Sequence, residues 1–181
     1  MLWLALALAA QAQVRVAQQE CQLARSNVHY YVLDIPQQAL RLKLRALELA
    51  SYPLKSIEVG VSLWGAADPD WMEKVYDLEP RPIPERVEIQ PSTEGQPPAS
   101  EPLTTLEQAP SSFTMNAGRH LSLRVTSDSG GFKLWTALAD RLASRPERGA
   151  VRLRLTLATE DAKALHRSWP LKSKLLIVPP S

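Results

Sequence analysis

At 181 residues, 45% of them hydrophobic, the chain has room for one domain with a substantial core, which excludes a wholly disordered protein. Its 21 Lys and Arg against 19 Asp and Glu leave a net charge of +2, dispersed along the chain, so there is no basic footprint for nucleic acid. Fifteen prolines against seven glycines point to rigid connectors, and a lone cysteine, Cys21, excludes an internal disulfide.

Residues 1–12 (MLWLALALAAQA) form a short apolar run that closes on Ala10-Gln11-Ala12. That is the A-x-A pattern of signal-peptidase cleavage, which would leave Gln13 at the new N-terminus. Spanning a bilayer takes about 20 apolar residues, so the run is read as a signal peptide, although no Lys or Arg precedes its apolar core. The expected location is periplasmic or secreted, and a single thiol suits a bacterial periplasm better than a disulfide-stapled extracellular module. Gln18-Gln19-Glu20 ahead of Cys21 lacks the small residues of a lipidation site. Residues 13–27 read as a lead-in arm or short helix.

Residues 28–35 (VHYYVLDI) are rich in β-branched and aromatic side chains and read as a strand closed by Pro36. Residues 37–50 (QQALRLKLRALELA) carry two patterns at once. With period two, Leu40, Leu42 and Leu44 oppose Arg41, Lys43 and Arg45. With period 3.6, Leu40, Leu44 and Leu47 share a face, and Arg41, Arg45 and Glu48 the other. Fourteen residues is long for a strand, and the composition is that of strong helix formers, so a helix is expected here. Residues 56–64 (SIEVGVSLW) alternate again as a strand. Residues 28–64 thus read as a first strand–helix–strand unit.

Residues 66–112 are poor in apolar pattern, with a short helix expected near 70–76 and a short strand at 86–89. Eight of the 31 residues from Pro80 to Pro110 are proline, and 90–110 reads as a Pro-rich linker. A second strand–helix–strand unit follows over 120–158. Leu121, Leu123 and Val125 alternate with polar residues, as do Val151, Leu153, Leu155 and Leu157. Between them Phe132, Trp135, Leu138, Ala139 and Leu142 fall at helical spacing, with Ser129 as N-cap and Pro146 and Gly149 as stops. Residues 159–169 read as a short helix packing Leu165, and 174–178 (KLLIV) as a last strand. The expected fold is one α+β domain over 28–178, its two strand–helix–strand units sharing a mixed sheet on either side of the Pro-rich loop.

Little in this pattern carries chemistry. Asp128-Ser129-Gly130-Gly131 resembles the DSGG around the nucleophile of trypsin-like serine proteases, but Ser127 and Phe132 depart from that pattern and a capped turn explains it. His29, His120 and His166 are too far apart for the short spacing of a metal motif. Asp70, Glu73 and Asp77, and Glu160 with Asp161, read as solvated surface. No catalytic, cofactor-binding or metal-binding residue is assigned.

At Leu33-Asp34-Ile35-Pro36-Gln37-Gln38-Ala39-Leu40 the chain resembles the start of the STN domain, the secretin and TonB short N-terminal domain. The likeness covers residues 30–64 only, and the family's later glycine, Ala-Leu and Leu-Leu-x-Gly-Thr segment is missing. It implies a periplasmic βαβ module that contacts partner proteins rather than doing chemistry.

The reading that follows is a non-enzymatic exported protein that binds another envelope protein or peptide and does not span the membrane. Strand addition at an exposed sheet edge is the expected mode, with residues 28–35 and 174–178 as candidate edges. The alternative is a small-ligand or carbohydrate-binding module that stacks its ligand on exposed tryptophans among Trp64, Trp71, Trp135 and Trp169. A hydrolase using Ser129 comes third.

Overall fold

A computed structural model describes residues 2–61, 70–81, 109–118, 120–128, 151–170 and 172–180. Helix α1 (Leu2–Arg25) leads into strands β1 (His29–Asp34), β2 (Ala39–Leu44) and β3 (Leu47–Val61). A single 3-10 turn (Trp71–Glu73) precedes β4 (Tyr76–Leu78), β5 (Phe113–Ala117), β6 (Leu121–Ser127) and β7 (Val151–Leu157). Helix α2 (Thr159–Ser168) and strand β8 (Ser173–Val178) close the order. The described strands form one mixed eight-stranded sheet in the order β4-β8-β1-β2-β3-β7-β6-β5.

The molecule is therefore mainly β, which corrects the expected balance of two strand–helix–strand units. The described residues 28–61 contain no helix. They make an antiparallel meander in which Leu33 pairs with Leu40 and Leu40 with Tyr52. Residues 37–50, expected to be helical, are the core of a β-hairpin. Arg45 and Ala46 take left-handed backbone, φ 50° and 66°, at its tip, as a two-residue hairpin turn of type I′ requires at both central positions. The period-two pattern prevails because β1 and β3 pair with β2 from its two sides, and helix propensity is a weak prior against that. Leu40 and Leu42 are buried while Arg41 and Lys43 on the other face stay half-exposed.

The turn from β1 to β2 uses the residues that carry the STN resemblance. The Asp34 carboxylate accepts the Gln37 N–H at 3.0 Å, and the Gln38 N–H donates to the Ile35 carbonyl at 3.2 Å. Pro36, whose ring presets φ, sits at the first central position of that turn.

In the second unit the flanking strands form as expected. β6 and β7 are adjacent and parallel, with Leu123 opposite Leu153, and parallel neighbours need a crossover between them. The helix expected over 132–142 lies outside the described residues, as do the strand at 86–89 and the linker at 90–110. The helix expected near 70–76 reduces to the single 3-10 turn.

β3 is the spine. Fifteen residues give it a length of about 50 Å, enough to serve both halves of the sheet. Its first part pairs with β2, its second with β7, and an irregularity at Leu54/Ser56 bends the strand between them. The outer strands then approach one another. The Glu79 N–H donates to the Asn116 carbonyl at 2.9 Å, and the Asn116 amide donates to the Glu79 carboxylate at 3.0 Å. The sheet is close to a barrel.

The inner face holds the core, including Tyr31, Leu33, Leu40, Leu123, Leu153, Leu155, Leu175 and Ile177. Helix α2 adds Ala162 and Leu165 to it. The outer face of β1 and β8 is covered separately by α1, whose Val16 and Leu23 meet Tyr30, Val32 and Leu176. Arg15 pairs with Glu73 at 2.5 Å and Lys43 with Glu20 at 2.6 Å, which fixes the helix at its flanks. Among the described residues no helix is long and apolar enough to cross a membrane.

Candidate functional site

The strands expected to be edges are interior. β1 lies between β8 and β2, and β8 between β4 and β1. β1 is thereby closed to a further strand, and β8 is closed over Ser173–Leu175, where β4 pairs with it. The reason was not local: β8 pairs in parallel with β1 from the other end of the chain.

Among the described strands an open edge lies elsewhere. β3 meets β7 only from Leu54 to Val61, whereas residues 47–53 pair with β2 alone among the described strands. The Leu54 N–H donates to the Gln38 carbonyl at 2.8 Å, toward β2. Backbone groups alternate sides along an antiparallel strand, so Ser51 and Pro53 direct theirs away from β2, at the open side. Pro53 is tolerated inside a 15-residue strand for this reason, since no ladder bond is lost. Leu47 and Leu49 on this stretch are 67% and 47% exposed, the largest apolar exposure on the hairpin. An unpaired strand with exposed leucines is a template for another strand.

Behind this edge stands the end of α2. The Tyr52 ring faces the core, and its hydroxyl lies 2.6 Å from Ser168 Oγ. Ser168 spends its one hydroxyl hydrogen on the Leu165 carbonyl at 3.0 Å, so Tyr52 donates to it. Tyr31 is buried near the same hydroxyl. Burial pushes its phenol far above the ordinary value. Phe113 of β5 meets His166 edge to face at 5.0 Å and Trp169 at 5.9 Å. Arg81 donates to the His166 carbonyl at 3.2 Å. Burial, then Arg81 and Arg167, hold the His166 imidazole below its ordinary value.

The other residues singled out in sequence do not converge. Glu73 pairs with Arg15, and Asp77 with Lys174 at 2.7 Å. Glu160 pairs with Lys163, and Asp128 with Lys55. Among the described residues no three of His, Cys, Asp and Glu gather to hold a metal. Cys21 is exposed. Trp169 is buried and Trp71 packs half-buried against the core, while Trp64, Trp135 and Ser129 lie outside the described residues. The β3 edge was missed because its signal was read as helix. Pro53 between alternating Tyr52 and Leu54 was the mark that could have found it, since proline within a strand points to an edge.

Among the described residues the fold is that of a mainly β protein with a mixed, nearly closed sheet in which residues 47–53 of β3 pair on one side only. No family model, no curated protein and no solved structure matches the chain.

Proposed function

We propose that this is an exported, non-enzymatic protein of the cell envelope that binds a protein or peptide by strand addition along the open half of β3. The observation that carries the reading is the one-sided pairing of residues 47–53 beside the exposed Leu47 and Leu49. Main-chain hydrogen bonds to the outward groups of this stretch supply affinity, and the leucines supply apolar contact. The signal-like run at residues 1–12 supports the envelope location.

The test is a photo-crosslinking residue at position 49, used in the native host after fractionation, with Ser51→Pro and Ser51→Ala beside the parent. Proline removes the one outward N–H of Ser51 without touching the bonds to β2. A crosslinked envelope protein that persists in Ser51→Ala and is lost in Ser51→Pro is the expected result. Equal crosslinking in both variants, or a protein that stays in the cytosol, overturns the reading.

A further inference from the structure

We infer that the C-terminal end of α2 is an acid-sensitive latch on the open half of β3, so that acidification loosens the edge to which a partner strand adds. The inference rests on the edge reading above, because it concerns regulation of that same edge. Its geometry is a short chain of contacts. Tyr52 belongs to the open stretch, and its hydroxyl is tied to Ser168 at 2.6 Å. Two residues earlier on the helix, the His166 ring is wedged edge to face on Phe113 at 5.0 Å. The His166 backbone carbonyl is held by Arg81 at 3.2 Å.

Among the described residues, the charges that act most on the His166 ring are Arg81 and Arg167. Arg81 approaches from the segment after β4, Arg167 follows on the helix itself, and both disfavour a protonated ring. β5 contributes Phe113, which is uncharged. Lys163, one turn back on α2, is paired with Glu160 at 3.2 Å. A cation in the last turn of a helix is ordinarily favoured by the macrodipole. Here burial and the two guanidinium groups outweigh it, since the imidazole is held below its ordinary value. A proton taken from solvent by the half-buried His166 ring therefore adds a cation beside the half-buried Arg81 and the exposed Arg167. Relief comes when the last turn of α2 moves off Phe113, and that motion breaks the Ser168–Tyr52 bond.

Hydrogen exchange of the full chain reads this without any partner. Rates over residues 47–54, corrected for intrinsic exchange, are compared at about pH 7.5 and about pH 5, on either side of the ordinary histidine value of ~6.5. A several-fold loss of protection at acid pH is expected in the parent protein. It should vanish in His166→Phe, which keeps a ring against Phe113 with no group to titrate. Arg81→Gln removes one facing cation and should move the onset to higher pH. If His166→Phe does not fold, ring and amide shifts in the parent serve instead: the His166 ring and the Tyr52 amide should titrate with one midpoint. Unchanged protection, an equal loss in His166→Phe, or two separate midpoints overturns the latch. Because no partner enters, these outcomes are independent of whether Ser51→Pro abolishes crosslinking.

Discussion

Arg45 and Ala46 hold left-handed backbone that costs an L-residue roughly 1–2 kcal/mol. The hairpin turn demands it, and neither side chain offers the local hydrogen bonding that lets Asn or the freedom that lets Gly adopt it. Replacing the pair with Asn-Gly (Arg45→Asn, Ala46→Gly) should raise stability by about 1 kcal/mol, read as a higher urea midpoint at unchanged slope. Tyr31 sets a second expectation. Its phenol is pushed up mainly by burial, so the folded state holds the proton more tightly than the unfolded chain. Stability from that difference is complete below the ordinary value of ~10 and is lost as pH rises from there. Thermal unfolding followed above pH ~10 should fall less steeply in Tyr31→Phe than in the parent.

At the scale of elements, similar leucines have very different weights. Leu165 of α2 is fully buried in the inner-face core, whereas Leu47 is 67% exposed at the hairpin tip. Leu165→Ala should cost about 2–5 kcal/mol through lost burial and a residual cavity, while Leu47→Ala should stay within about 0.5 kcal/mol. Chemical unfolding of the two variants checks both figures. The strands β1, β6, β7 and β8 were legible because alternation with β-branched and aromatic residues has one reading. α2 was legible from the spacing around Leu165. Residues 37–50 were not, because Leu40 and Leu44 fit both periods, with Leu42 completing period two and Leu47 completing period 3.6. Only the neighbours decide which face is buried, and the chain supplies β1 on one side and β3 on the other.

For the whole molecule, the decisive pairing is the parallel one between β1 and β8, in which Tyr31 lies opposite Leu175. Between them these strands bury both of their faces, inside against the core and outside under α1. Removing β8 should therefore unfold the chain rather than trim it. A protein truncated after residue 170 should lose its sheet signal in circular dichroism and its dispersed amide spectrum. A meander over residues 28–61 that could fold by itself would instead survive that truncation.

Sequence by itself determined the alternating strands and the Leu165 helix, since each depends on neighbours within a few residues, and its single cysteine ruled out an internal disulfide. Tertiary structure decided the class of fold, the interior position of β1 and β8, and the open edge at residues 47–53. Those are set by which distant strand completes a backbone ladder and which surface a helix covers, and hydrogen bonds between residues far apart in the chain leave no local period to read.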